Sequence, residues 1–251
     1  MTTKRAAGYF GHPIAAEKKY ATQLRKVARQ VGNITDRHAP QGVLVDSQGL
    51  VRALAAYSEA ITPWAGRVSA QMLASVSTSN LRSWTKNSRK IGALLRDNFH
   101  TSEAGSAAKA LHASQVELIT SLPTEAAKRA QSLAQEAMLT GGRPNAVAAE
   151  IARTGEVTES RAMLIARTET AKSNAAFTQT RAKSIGATHY TWQTMEDSAV
   201  RPSHADMQGQ VCEFADPPQV DDEFGAYNPG EVPNCRCYAE PLFPGVDEYS
   251  E

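Results

Sequence analysis

The residues best suited to chemistry are one histidine and three cysteines in the C-terminal part of the chain. All three cysteines of the 251-residue sequence lie within its last 40 residues, and together with a preceding histidine they form the pattern His204-x7-Cys212-x22-Cys235-x-Cys237. Zinc accepts one imidazole and three thiolates in a tetrahedral site, and a small loop-rich region gains stability from such a metal. The pattern therefore indicates a zinc site, although free cysteine is also an ordinary small core residue.

His204 supports two further interpretations. With Asp197 or Asp206 it could act as a general base, so the alternative function is a metal-dependent nuclease built on this histidine and the three cysteines. In the other interpretation, Asp197, Arg201 and His204 form a hydrogen-bonded turn that fixes the cysteine-containing loop. We favour the structural turn, because no second histidine or nucleophile motif accompanies the set. No catalytic residue is therefore assigned.

The elements that must position these residues are mostly helices. Apolar residues recur every three or four positions from Ile14 to Val31, which predicts an amphipathic helix, and proline and glycine divide the following chain into further helical segments. Helices are predicted over residues 14–31, 46–63, 64–99 with a break or kink near 77–80, 105–122, 124–139, 144–152 and 158–186. Short strands are predicted at 188–193 and 236–240. The expected fold class is α+β, mainly α.

The net charge of +1 conceals two oppositely charged parts. Residues 1–190 carry 25 basic and 13 acidic side chains, whereas residues 191–251 carry 2 basic and 13 acidic ones. Basic residues concentrate on the first and third predicted helices, and the candidate DNA-binding residues are Lys18, Lys19, Arg25, Lys26, Arg82, Lys86, Arg89 and Arg96. A basic helix face is ordinarily just solvated, but two such faces in a basic body favour sequence-independent contact with DNA phosphates. The acidic part suits a basic protein partner better.

The sequence also indicates whether the chain is expected to enter a membrane or to be exported. No apolar run approaches the roughly 20 residues that a membrane helix requires, and the positive charges near the N-terminus are not followed by a continuous apolar stretch. We therefore expect neither a membrane partner nor a signal peptide. Without an export signal, the three thiols are expected to be reduced.

An ordered set of motifs lies between Ala162 and Pro241. It consists of IARTET at 165–170, Trp192, Asp197…Arg201…His204, Gln208-Gly209, Asn228-Pro-Gly and Pro233-Asn-Cys235-Arg-Cys237. This set resembles the Mu F-like family of phage minor head proteins, also called head-morphogenesis proteins, in which Asp-Gly is common at the position of Gln208-Gly209 and His often replaces Val232. The residues that the resemblance implies as its structural motif are Arg167, Glu169, Trp192, Asp197, Arg201, His204 and Gly209.

The resemblance implies a non-catalytic protein of the virion, in the capsid interior or at the portal vertex, assembled in the host cytoplasm. Its partners would be the portal protein, other head proteins and packaged double-stranded DNA, and it would aid head assembly and DNA packaging or delivery. We predict a helical N-terminal arm at 1–120 that faces the portal and DNA. A Mu F-like α+β domain would follow at 121–251, with a cysteine-containing subdomain at 188–245. Zinc is the cofactor that the residues indicate.

Overall fold

The computed structural model describes residues 10–40, 43, 45–88, 102–140 and 144–243. Its helices are α1 (Ile14–His38), α2 (Ser47–Ala60), α3 (Thr62–Ser88), α4 (Ser102–Thr140), α5 (Pro144–Ala152), α6 (Thr154–Ser184) and α7 (Pro202–Asp206). Its strands are β1 (His189–Gln193), β2 (Val211–Glu213), β3 (Gln219–Asp221), β4 (Gly225–Ala226) and β5 (Tyr238–Pro241). The predicted fold class, α+β and mainly α, is confirmed. None of the helices in these ranges has the length and apolar character needed to cross a bilayer.

The chain forms two compact units, each assembled from separate segments. One unit, the motif unit, comprises Met1–Glu17, Gln71–Leu111 and Arg167–Glu251. The other, the helical unit, comprises Lys18–Ala70 and His112–Ala166. The predicted division at residue 120 falls inside α4, and both units combine residues from either side of it. The separate roles assigned to residues 1–120 and 121–251 stay predictions.

The helical unit has the core that the periodicity of α1 predicts. Tyr20, Leu24, Val27 and Val31 are all at most 2% exposed. Where α1 and α6 cross, Gly32 faces Gly155 so closely that a Cβ on Gly155 would lie 3.1 Å from the Gly32 Cα. Since that neighbour is backbone and cannot rotate away, a side chain at position 155 would require the two helices to shift by a few tenths of an ångström.

The predicted interruption at Pro123 does not occur, because α4 runs continuously through it. Proline at position 123 removes the backbone donor that the Ile119 carbonyl would otherwise have. The Ser58 hydroxyl of α2 contacts the same turn and donates to the neighbouring Thr120 carbonyl at 2.7 Å. α2 itself begins as predicted, with the Asp46 carboxylate accepting a hydrogen bond of 2.7 Å from the Gly49 N–H. Such a cap satisfies a backbone donor that the helix leaves open.

A buried polar network joins α3 to α6 in the motif unit. The Asn80 amide nitrogen donates to Asn174 Oδ1 at 2.9 Å and to the Thr178 hydroxyl at 2.7 Å, and its oxygen accepts from Arg181 at 2.5 Å. Arg181 also donates to the Ser77 hydroxyl at 3.1 Å. The break predicted at residues 77–80 was therefore wrong: α3 is continuous there, and the polar residues that interrupt its apolar stripe are partners of α6.

The C-terminal part of the motif unit contains two small sheets. β1 is the centre of a three-stranded antiparallel sheet in the order β2-β1-β5, with Tyr190 opposite Cys212 and Trp192 opposite Ala239. β3 and β4 form a separate antiparallel hairpin. The sheets cover a core that includes Tyr190, Trp192 and the three cysteines. Both strands predicted from sequence are confirmed, whereas β2, β3 and β4 are too short to leave a sequence pattern.

We expect Asn80→Ala to destabilise the motif unit by about 1–3 kcal/mol, because it removes a buried acceptor of Arg181 and the donor to the Asn174 side-chain oxygen. Urea unfolding of the full chain measures this difference. Thr78→Ala is the matched control, since Thr78 is exposed on the same helix and its hydroxyl bonds only to the Ala74 carbonyl of its own helix among the bonds that the structure shows. Equal unfolding midpoints for the two variants would contradict the structural role of the network.

Candidate functional site

Three of the four predicted zinc ligands meet in the core of the motif unit. His204 Nδ1 lies 3.6 Å from Cys235 Sγ and 3.4 Å from Cys237 Sγ. The three ligand atoms all lie within 4.8 Å of one another, and each residue is at most 7% exposed. The group His204, Cys235 and Cys237 is called the histidine–cysteine cluster below. A hydrogen bond from the Cys237 thiol lowers the pKa of Cys235, and the same contact raises the pKa of Cys237.

The fourth predicted ligand, Cys212, does not join the cluster. It lies on β2 opposite Tyr190, where its thiol is 3.8 Å from the Gln210 carbonyl. Burial raises the pKa of Cys212, which favours the neutral thiol. The spacing of the cysteines in sequence could not show that Cys212 lies outside the cluster. Its position is set by the pairing of β1 with β2, which the spacing does not reveal.

Local backbone geometry brings the cluster together. Pro202 occupies the first turn of α7, where its missing N–H costs nothing, and α7 carries His204. Asn234 has φ of 60°, a left-handed conformation that asparagine tolerates better than most residues. This conformation bends the segment of residues 233–237, called the cysteine turn below, so that Cys235 and Cys237 both face the histidine.

Helix α6 holds the cysteine turn through the motif at 165–170. The Asn234 N–H donates to the Thr168 hydroxyl at 3.1 Å, and Arg167 donates to the Asn234 side-chain oxygen at 3.4 Å. The preceding Asn228-Pro-Gly turn also lies against α6: a Cβ on Gly230, whose φ is 91°, would lie 3.4 Å from the Ala171 carbonyl oxygen. A side chain at this position would be strained as well as crowded.

Asp197 and Arg201 hold the same turn from the other side. Arg236 forms a bidentate ion pair with Asp197 at 2.7 and 2.8 Å. In sequence, Arg236 lies between the two clustered cysteines. Arg201 donates to the Pro233 carbonyl at 2.8 Å. The structure thus brings Asp197, Arg201 and His204 onto the cysteine turn, in the arrangement of the structural interpretation. Asp197 is thus engaged by Arg236.

A second layer of contacts orients the His204 ring. Its Nε2 lies 3.0 Å from the Tyr227 hydroxyl, and that hydroxyl in turn donates a short hydrogen bond to Asp221. The Trp192 ring, which is fully buried, meets the imidazole edge-on with ring centroids 5.9 Å apart. Burial and the neighbouring Asp221 raise the pKa of Tyr227 above the ordinary range, so its hydroxyl keeps its proton.

The remaining motif residues shape the approach of β1 to β2. Gly209 has φ of 79°, and its N–H donates to the Trp192 carbonyl at 2.8 Å. Gln208, which stands where the resembled family commonly has Asp, accepts from the Thr194 N–H at 2.7 Å and donates to the Gln193 side chain at 2.6 Å. An amide can make both bonds at once, whereas a carboxylate can only accept.

Glu169 and Asn174 are buried polar residues of α6. Both are 5% exposed. Asn174 belongs to the polar network with Asn80 and also donates to the Phe10 carbonyl at 3.1 Å. Burial raises the pKa of Glu169, and Lys172, 3.7 Å away, lowers it only in part.

The candidate DNA-binding residues fall into both units. Lys18, Lys19, Arg25 and Lys26 are exposed on α1 in the helical unit, where Arg25 also pairs with Glu159 at 3.2 Å. Arg82 and Lys86 are exposed on α3 in the motif unit. Arg89 and Arg96 lie outside the described residues. The structure therefore leaves the α1 cations accessible to solvent, as a phosphate contact requires.

Sequence reasoning missed Tyr227 and Asp221. Each lies in the loop-rich segment between Cys212 and Cys235. The fold brings Tyr227 against His204, and Asp221 against Tyr227. The motif Asn228-Pro-Gly marked a turn one residue after Tyr227, but a turn does not indicate which neighbouring side chain points inward. Neither Tyr227 nor Asp221 belongs to a periodic pattern that would have indicated its role.

Comparison with known proteins gives one family and one relative. The family described as "Phage Mu protein F like protein" matches residues 128–240. A protein of Haemophilus influenzae described as uncharacterized is 32% identical over 244 residues, which covers 89% of this chain. The chain spans 52% of the length of that relative. No solved structure gives a significant match.

We expect Glu169→Gln to be more stable than the wild type at neutral pH. A carboxyl whose pKa is raised in the folded state holds its proton more tightly there than in the unfolded chain, so its contribution to stability is lost as the pH rises. The gap between variant and wild type should close as the pH falls below the pKa of the unfolded carboxyl. Urea unfolding at several pH values measures it, with the exposed Glu223→Gln as control. A gap that widens toward acid pH would contradict the burial of an ionised Glu169.

Proposed function

We propose that this protein is a non-catalytic component of phage heads, because residues 128–240 match the family described as Phage Mu protein F like protein. Its finer role, in this proposal, is that of a minor head protein that associates with the portal and aids head assembly and DNA packaging or delivery. The family match carries the proposal. The virion, at the capsid interior or portal vertex, is the corresponding location.

The arrangement of the motif residues supports a structural role. Arg167, Asp197 and Arg201 all make contacts that hold the cysteine turn. Trp192 and Gly209 fix the strand pair beside it. The first three side chains contact residues of the cysteine turn itself, as expected of residues that fix a fold. The motif is thus a means of folding a small surface reproducibly for a protein partner.

The exposed cations of α1 support a contact with DNA. Lys18, Lys19 and Lys26 lie on a helix whose opposite face is buried, so their ammonium groups point to solvent. Contacts of this type neutralise phosphates without reading the base sequence, and they weaken steeply with salt. Such binding fits packaged DNA, which a head protein meets without regard to sequence.

The ligand chemistry argues against magnesium as the metal of the alternative from sequence, a metal-dependent nuclease. Magnesium is held by oxygen ligands, whereas the histidine–cysteine cluster offers one nitrogen and two sulfurs. Cys212, which the alternative also required, lies apart on β2. Asp197, one of the two carboxylates that the alternative could pair with His204, is bound to Arg236.

The role in heads is tested by the composition of purified particles. We expect mass spectrometry of heads from the phage that encodes this chain to detect it in few copies relative to the major capsid protein. Deleting its gene should reduce the yield of infective particles, and a plasmid copy should restore it. Purified heads that lack the chain, with unchanged infectivity after deletion, would contradict the proposal.

DNA contact by α1 is tested with the full chain carrying Lys18→Gln, Lys19→Gln and Lys26→Gln together. If all three contact phosphates, affinity for duplex DNA falls and the slope of log affinity against log salt becomes shallower by about 2–3. Fluorescence anisotropy over a salt series measures both quantities.

The matched control removes three other exposed cations of the helical unit, by Arg52→Gln, Arg67→Gln and Lys128→Gln. The two variants have the same net charge, so a local contact alters only the first, whereas equal effects would show that overall charge is responsible. The same samples, incubated with DNA and Mg²⁺, Mn²⁺ or Zn²⁺, should leave the duplex intact. Cleavage that His204→Ala abolishes would favour the nuclease alternative.

A further inference from the structure

The distances within the histidine–cysteine cluster match those of a tetrahedral metal site. Zinc binds histidine nitrogen at about 2.0–2.1 Å and cysteine sulfur at about 2.3 Å. With tetrahedral angles, these bond lengths place nitrogen and sulfur roughly 3.6 Å apart. The observed separations from His204 Nδ1 are 3.6 Å to Cys235 Sγ and 3.4 Å to Cys237 Sγ. Both sulfurs thus stand where two ligands of one ion would stand relative to the imidazole.

The hydrogen bonds of His204 leave a lone pair on the atom that faces the sulfurs. Tyr227 gives its single hydroxyl proton to Asp221, so its oxygen can only accept from the imidazole. The proton of a neutral ring is therefore on Nε2, and Nδ1 carries the lone pair. Metal-binding histidines are generally oriented in this way, with the second ring nitrogen donating to a fixed acceptor.

The sulfur of Cys235 has the environment of a bound thiolate. The Gly230 N–H points at it from 3.4 Å. Backbone N–H groups directed at sulfur stabilise its negative charge, as they do around metal-bound thiolates. Cys235 is 2% exposed, so solvent could not provide this stabilisation. A buried thiolate is costly unless a cation or hydrogen bonds compensate it.

The regular structure around the cluster is limited. The strands of the motif unit are 2 to 5 residues long. The cluster joins α7 to the cysteine turn across sequence separations of 31 and 33 residues. A metal bound there would link the two segments as a covalent crosslink would, which is the usual means by which small loop-rich regions gain stability.

One side of the cluster borders a small cavity. The cavity has a volume of about 80 Å³, and beyond the three cluster residues its lining includes Arg201, Asn234 and Arg236. It is large enough for water. Among the described residues the cluster supplies three ligand atoms, so the cavity is where a fourth, non-protein ligand of a tetrahedral ion would lie.

We propose that His204 Nδ1, Cys235 Sγ and Cys237 Sγ bind one Zn²⁺ ion, and that solvent in the bordering cavity occupies its fourth position. Sulfur and imidazole ligands in a tetrahedral arrangement select zinc over magnesium or calcium. Cys212 takes no part in this site. The proposal concerns the folding of the motif unit and stands apart from the role in phage heads.

Elemental analysis of the full chain, purified under reducing conditions and supplemented with zinc before exhaustive dialysis, tests the site. We expect about one zinc per chain. Cys235→Ser and Cys237→Ser should each lose most of it, whereas Cys212→Ser should retain it. Cys212 is the matched control, because it is a third buried cysteine of the same core. A folded wild type that stays metal-free, with circular dichroism unchanged by zinc, would overturn the proposal, as would loss of zinc from Cys212→Ser.

Cobalt substitution tests the ligand set and the fourth position. Co²⁺ in this site should show thiolate-to-metal charge transfer and intense visible bands typical of tetrahedral coordination. One equivalent of zinc should displace the cobalt and abolish both features. Adding azide or imidazole should alter the visible bands, because either can replace solvent. A spectrum insensitive to both would show a fourth protein ligand and overturn the open position.

Tyr227→Phe should fold and weaken zinc binding by about 10–100-fold, since it removes the acceptor that orients His204; unchanged affinity would overturn that role.

Discussion

The backbone N–H of Asn234, bonded to the Thr168 hydroxyl at 3.1 Å, is the contact on which the C-terminal region depends. Around it are strands of 2 to 5 residues and turns, which cannot fix their own positions. Helix α6, with 31 residues, is the long element of that region. By tying the cysteine turn to α6, this bond transfers the rigidity of a helix to a segment that has no regular structure.

The same constraint explains why the motif residues are spread over so much of the chain. Three segments contact the cysteine turn. Helix α6 does so through Arg167 and Thr168, and the loop before α7 through Asp197 and Arg201. Helix α7 does so through His204. Residues distant in sequence thus act as one structural unit.

Local patterns in the sequence predicted the elements but not their polar interior. The apolar stripe of α1, the Asp46 cap and strand β1 follow from periodicity and short-range chemistry, and so they were predictable. The continuity of α3 was not, because Asn80 and Ser77 resemble surface residues until α6 brings Arg181 against them. At the site, His204, Cys235 and Cys237 were predictable from residue type. The exclusion of Cys212 and the participation of Tyr227 depend on long-range pairing, which no spacing rule contains.

The interleaving of the two units has a consequence for how the chain folds. The motif unit draws on residues before 18 and after 166, so it cannot be completed until β5 has left the ribosome. The helical unit likewise needs residues up to 166. Contacts between segments so far apart close large loops and slow folding. A cut near the middle of the chain would therefore yield two incomplete units rather than two domains, and newly synthesised N-terminal helices must remain soluble while they wait for α6.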